Sequence, residues 1–255
     1  RKFLAVGGAT AAAAAAAGVG GELLIRRRLP VHQATVTAMP KASAPAAKPR
    51  PLPVASARPP ALQTSLNVPG ISPFYTPNAD FYRVDTSLVV PKVSASTWQL
   101  RIHGMVDNPM TITFDELTKL PMFEHDCTLT CVSDAVGGGY IGNARWQGTL
   151  LADVLRKAGI RAGAEQIVMR DVNGMTIGVA TEPVMDGRKS MLAVGMNGQP
   201  LPQAHGYPVR VVIPGLYGYV SATKWVVDME FTTFGAFNAY WVKMGWSQQA
   251  PIKIE

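Results

Sequence analysis

Residues 205–215 read His205-Gly206-Tyr207-Pro208-Val209-Arg210-Val211-Val212-Ile213-Pro214-Gly215. Val209 to Ile213 predicts a short strand, because β-branched residues suit a pleated, half-buried surface. Taken alone, the stretch puts Arg210 on the surface of a strand and His205 in a turn. Outward from it, Met191–Met196, Thr176–Ala180 and Gln166–Arg170 predict strands upstream, and Lys224–Phe231 predicts one downstream. Asn173-Gly174 and Asn197-Gly198 are hairpin turn signals. Trp98 to His103 alternates apolar and polar residues as a strand does. Asn108-Pro109 is a turn, and Met110–Phe114 a short strand. Phe114-Asp115-Glu116-Leu117 starts a short helix, with Asp115 a candidate cap. Leu150, Leu151, Val154 and Leu155 lie on one helical face within Thr149–Ala158, and Gly159 ends that helix. Many short strands with few short helices predict an α+β domain.

Charge narrows the function. The 255 residues carry 24 Lys+Arg and 17 Asp+Glu, a net charge of +7. Residues 1–63 hold nine Lys/Arg and one acid, Glu22; the rest hold fifteen against sixteen. The domain is therefore nearly neutral, which argues against a nucleic-acid partner. Two cysteines exclude a disulfide scaffold and a four-cysteine zinc site. Phe3 to Ile25 carries one charge and includes the alanine run Ala11–Ala17. As a helix it would span about 34 Å. Residues 1–29 are read as a transmembrane segment, with an export-signal remnant or an Ala-rich soluble helix as alternatives. Residues 30–65, rich in proline and alanine, are read as a linker, and 66–255 as the domain.

Gly137-Gly138-Gly139-Tyr140-Ile141-Gly142 fits G-x-G-x-x-G, but residues 143–148 make a poor helix and no acid stands about twenty residues on. A dinucleotide site is not expected there. His125, Asp126, Cys127 and Cys131 match no standard zinc spacing. Cys127 and Cys131 could pair as a local disulfide, or Cys131 could act as a nucleophile. Neither G-x-S-x-G nor H-E-x-x-H occurs.

Several segments stand in a telling order. Thr76-Pro77-Asn78-Ala79-Asp80-Phe81-Tyr82-Arg83 comes first. Thr128-Leu129-Thr130-Cys131-Val132-Ser133 precedes the glycine-rich loop and Trp146-Gln147-Gly148. The 205–215 stretch, Tyr217-Gly218-Tyr219 and Thr223-Lys224-Trp225 complete the set. From Ser72 to Ile254 this order resembles the molybdenum-cofactor domain of the sulfite oxidase family. The resemblance implies a mixed-sheet molybdopterin-binding domain and a molybdenum–molybdopterin cofactor. It makes Cys131 the catalytic metal ligand, since a thiolate supplies the soft anionic donor molybdenum needs. It places Asn78, Phe81, Tyr82, Arg83, His205, Arg210, Thr223 and Lys224 around the cofactor, with Arg210 forked onto its phosphate. It also implies two-electron oxygen-atom transfer on a small-molecule substrate. A C-terminal dimerisation domain found in many relatives is expected to be missing. By the same likeness the domain faces outward from the cell membrane, although Arg26-Arg27-Arg28 would by charge favour a cytoplasmic side. No C-x-x-C-H haem attachment occurs, so a separate redox protein or membrane partner is expected.

Two departures bear on substrate. Val132-Ser133-Asp134-Ala135-Val136 lacks the arginines that sulfite-oxidising members place there, and Asp134 would repel sulfite. Met175 stands where those members put a tyrosine. A sulfoxide is the expected substrate; a catalytically silent cofactor-binding or sensing module and a thiol enzyme are the rival readings.

Overall fold

Met191-Leu192-Ala193-Val194-Gly195-Met196 is strand β7, buried at every position. A strand covered on both faces still needs partners on both edges. β4 (Ile141–Leu150) pairs with one edge, and β8 (Gln199–Pro200) and β9 (Arg210–Val212) share the other. β3 (Phe123–Thr130) pairs with β4 and completes the first sheet. The second sheet runs, in spatial order, β2 (Met110–Thr113), β1 (Gln99–Gly104), β10 (Val226–Thr232), β5 (Gln166–Asp171) and β6 (Thr176–Ala180). β1 and β10 are parallel and the other pairs antiparallel, so this sheet is mixed. Trp146, Trp225, Tyr207 and Phe231 are the largest fully buried side chains. The computed structural model describes residues 49–59, 68–85, 87 and 89–252.

Short helices connect the strands: α1 (Phe114–Leu117), α2 (Leu151–Ala158), α3 (Glu182–Met185), α4 (Gly218–Ser221) and α5 (Tyr240–Lys243). Both expected hairpins form, β5 to β6 around Asn173-Gly174 and β7 to β8 around Asn197-Gly198. The cap of α1 is Thr113, not Asp115: its hydroxyl accepts from Glu116 N–H while the Glu116 carboxylate takes the Thr113 N–H. That reciprocal pair satisfies two donors that Asp115, inside the helix, could not reach. Thr149 and Leu150 end β4 and do not begin α2. β3 and β4, the strands that lead to Cys131 and back, carry no clear alternation in sequence.

The described part of the expected linker, residues 49–59, lies against the domain. Ala57 bridges Phe123, Ser56 N–H donates to Met122 O at 2.8 Å, and Gln147 Nε2 donates to Pro53 O. The first two lie at the start of the outer edge of β3, whose other edge pairs with β4. The hydrophobic segment 1–29 and the rest of the linker lie outside the described residues. Among the described residues, no helix is long and apolar enough to cross a membrane. Cys127 and Cys131 are free thiols. Cys127 lies inside an extended strand with Cys131 just past its end, about 13 Å along the chain, too far for a disulfide.

Candidate active site

β3 ends at Thr130 and delivers Cys131 to the wall of a cavity. Cys131 N–H donates to Tyr140 O at 2.9 Å, and Tyr140 N–H donates to Asp134 Oδ1 at 2.7 Å. The glycine-rich loop is thus closed at its base by its own polar groups. Asp134, expected to face the substrate, is a loop brace and does not line the cavity. Its carboxylate, though outside the lining, still bears electrostatically on cavity-lining Tyr82. Gly142 lies on strand β4, so the G-x-G-x-x-G run does not open a helix.

The 205–215 stretch builds the opposite wall. Gly206 has φ +106°, and a Cβ there would meet Arg210 Cβ at 3.0 Å and Lys224 Cα at 3.1 Å. A residue without a side chain is what lets this stretch turn back on itself and Lys224 close on it. Arg210 opens β9 and is buried, not on a strand surface. Its guanidinium sits 4.8 Å from the Trp146 ring centre and makes two long bonds, to His205 O (3.3 Å) and Ala222 O (3.4 Å). Its Nε is buried with no hydrogen-bond partner. Among the described residues no carboxylate pairs with it. Burial pulls its pKa down to about 10, so the charge stays at neutral pH. A buried cation without a counter-ion costs several kcal/mol, and an anion in the cavity would offset that cost.

Lys224, by contrast, has a counter-ion: its ammonium pairs with Asp85, which also takes Arg83 at 2.5 Å. His205 is neutral at pH 7, its pKa lowered to about 4 by burial first and by Arg210 second. Its Nε2 faces Asn78 O at 3.1 Å, which assigns the proton to Nε2. Phe81 and Tyr82 stack at 5.4 Å, and Phe81 meets both Trp146 and His205 edge-on. Thr223 lines the cavity with its hydroxyl turned to Met169 Sδ at 3.6 Å.

The cavity therefore gathers Cys131, Phe81, Tyr82, His205, Arg210, Thr223 and Lys224. Asn78 and Arg83 are not in its lining. The Asn78 amide is taken up by Met196 O (3.2 Å) and Asn197 (2.9 Å), which fixes the loop that orients His205. Beside Met175 and Tyr219, which the sequence singles out, a further wall is made by Ile177, Trp241 and Trp246, which sequence reasoning missed. Trp246 packs 4.9 Å from Tyr219 and 4.7 Å from Trp241. The tryptophans sit near the end of the described chain, in a segment that carries no motif of its own. Cys131 is a free thiol that shares the cavity with His205. Among the described residues, no group of three or more His, Cys, Asp or Glu stands ready to share a metal.

Residues 87–241 match the model of the oxidoreductase molybdopterin binding domain family. The chain belongs to this family. The molybdopterin-binding domain is 33% identical over 135 residues to the oxidoreductase YuiH of Bacillus subtilis, covering 53% of this chain and 65% of that one. It is 33% identical to a mitochondrial sulfite oxidase of Rattus norvegicus, over 60% of this chain and 32% of the relative. It is also 33% identical to a nitrate reductase [NADH] of Oryza sativa, over 67% and 21%. The chain thus spans at most about two-thirds of these relatives' lengths. Among solved structures it resembles the sulfane dehydrogenase SoxCD of Paracoccus pantotrophus, with a TM-score of 0.58 and 25% identity over 63% of this chain and 44% of that one. The cavity of this molybdopterin-binding oxidoreductase fits its cofactor: a buried, unpaired guanidinium suits a phosphate, and a half-exposed thiol suits a soft metal.

Proposed function

We propose that this domain transfers an oxygen atom, with two electrons, on a small organic S-oxide, and that its cofactor is held by Cys131 at the metal and by Arg210 at the phosphate. The carrying observation is Arg210: buried, charged, without an acid, and in the same cavity as the Cys131 thiol. When bound, molybdopterin brings molybdenum on its dithiolene sulfurs and supplies the two-electron oxygen-atom chemistry. The protein's own work is binding and orientation. Cys131 gives a soft anionic ligand from a position fixed by the Tyr140 carbonyl. Arg210 offers a planar fork to phosphate, with Lys224 as a second cation. Neutral His205 and the Thr223 backbone offer polar contacts to the pterin. Phe81 and Tyr82 give it an apolar seat that excludes water.

The aromatic wall supports the choice of substrate. Tyr219, Trp241, Trp246, Met175 and Ile177 carry no charge that would hold a small inorganic anion. Polarizable rings and a thioether instead suit the organic groups of a sulfoxide. Holo-domain is expected to reduce a dialkyl or aryl sulfoxide with an artificial electron donor and to leave sulfite untouched. Turnover of sulfite without sulfoxide reduction would overturn this reading. Cys131→Ser is expected to lower turnover about 100-fold or more.

Phe3–Ile25, by its length and single charge, is proposed as the anchor that holds the domain on the outer side of the cell membrane. Electrons pass to the domain from a separate redox partner there. A reporter fused to the C-terminus that works only in the cytoplasm would contradict this orientation.

A further inference from the structure

Two cations, Arg210 and Lys224, line one end of the cavity, and Arg83, outside the lining, joins them in bearing on His205 electrostatically. One carboxylate, Asp85, contacts two of them, Lys224 and Arg83. Arg210 is left to its carbonyls and the Trp146 ring. The Asp85 residue as a whole is exposed, yet its side chain is only 19% accessible and that of Lys224 only 12%. The backbone of Asp85 thus faces solvent while its carboxylate is turned in onto the lysine. Asp85 lies in no helix or strand. The segment is pinned on one side by buried Phe81, and on the other by Ser87, whose hydroxyl accepts from Asn173 Nδ2 at 2.6 Å. Its carboxylate can therefore leave Lys224 by turning about its own side-chain bonds, without breaking a strand ladder.

Resting on the cofactor reading above, we propose that Asp85 is a tethered anion that competes with the cofactor's phosphate for Lys224 and so sets how tightly the domain holds its cofactor. A phosphate monoester carries close to two negative charges at neutral pH. Three cations and one carboxylate present a net charge of two to it. Without the carboxylate the same end presents three, and Lys224 is free to turn inward. The opposite role, a carboxylate that aligns Lys224 toward the phosphate, would make removal of Asp85 loosen the cofactor. The two roles differ in sign.

Holoprotein is purified as wild type, Asp85→Asn and Asp85→Glu, and release of pterin is followed by its fluorescence at about 0.1 M and 0.5 M salt. Asp85→Asn is expected to release pterin about three- to tenfold more slowly at the lower salt, with the gain shrinking at the higher. Asp85→Glu, which keeps the anion, is expected to behave as the wild type does. Release from Asp85→Asn as fast as from wild type, or faster, overturns the proposal. Where the Asn variant also loses stability, its salt dependence decides: steeper than wild type supports competition, flatter overturns it. Wild-type protein that carries no pterin overturns the cofactor reading and this inference with it. Pterin in the wild type with the wrong sign in the variant overturns this inference alone.

Discussion

Arg210 leans on an indole ring and two distant carbonyls where a buried arginine ordinarily meets a carboxylate. Folding and cofactor binding therefore pull on it in opposite directions. Arg210→Met is expected to stabilise cofactor-free protein by about 1–3 kcal/mol, since an unpaired buried charge is removed. The same change is expected to lower pterin content about tenfold or more, read together by denaturant titration and pterin fluorescence. A variant that loses both stability and cofactor would mean that Arg210 is only structural. His205 gives a pH signature. Its folded pKa is about 4 against about 6.5 unfolded, so the folded state binds fewer protons between those values. Its contribution is complete above about 6.5 and is lost as pH falls toward 4. Below that, Asp228 takes over: burial alone would raise it, but His103, Arg101 and Arg170 together hold it at about 2. His205→Gln is expected to flatten the melting-temperature profile between pH 6.5 and 4 and to leave the fall below pH 4. These residues are legible in the sequence by their order along the chain, through a family likeness. Their burial and the missing counter-ion of Arg210 are not legible there, because both depend on how the 205–215 stretch folds around Gly206 against Lys224.

At the level of elements, the strands that alternate or run apolar are readable, and the two that carry Cys131 are not. β3 is Phe-Glu-His-Asp-Cys-Thr-Leu-Thr, polar through its first half because Asp126 pairs with Arg145 across the ladder at 2.8 Å. β4 contains Gly142, which reads as a loop residue but marks a close approach. A Cβ at Gly142 would stand 2.6 Å from the Phe81 ring. The glycine is what lets the Phe81 ring pack against β4 in the cavity wall. Gly142→Ala is expected to cost about 1–3 kcal/mol in urea unfolding, because the ring must move from its packed position. It is also expected to weaken pterin retention, since Tyr82 stacks on that ring. Loss of stability with retention unchanged would detach the Phe81–Tyr82 pair from the cofactor. The α1 cap stands two residues before the expected Asp115 for a related reason: Thr113 and Glu116 satisfy it jointly, and neither signals it alone.

Over the whole molecule, the net charge of +7 divides between a basic N-terminal stretch and a nearly neutral domain. Two of the basic residues counted with that stretch belong to the domain: Arg50 pairs with Asp115, and Arg58 with Glu124 at 3.5 Å. Proline content makes residues 49–59 look like tether, yet an extended proline-rich segment is also well shaped to lie along a strand edge. Two sheets bring together residues from positions 81 to 246, and that convergence makes one cavity with a cationic end, a thiol and an aromatic wall. Cys131 and Arg210 are proposed to hold molybdopterin in this cavity. Molybdenum and pterin are to be counted per chain in wild-type protein made in a cofactor-competent host, beside Arg210→Met. Close to one of each is expected in the wild type and about a tenth or less in the variant. Wild-type protein without molybdenum, or a variant as fully loaded as the wild type, would contradict this assignment.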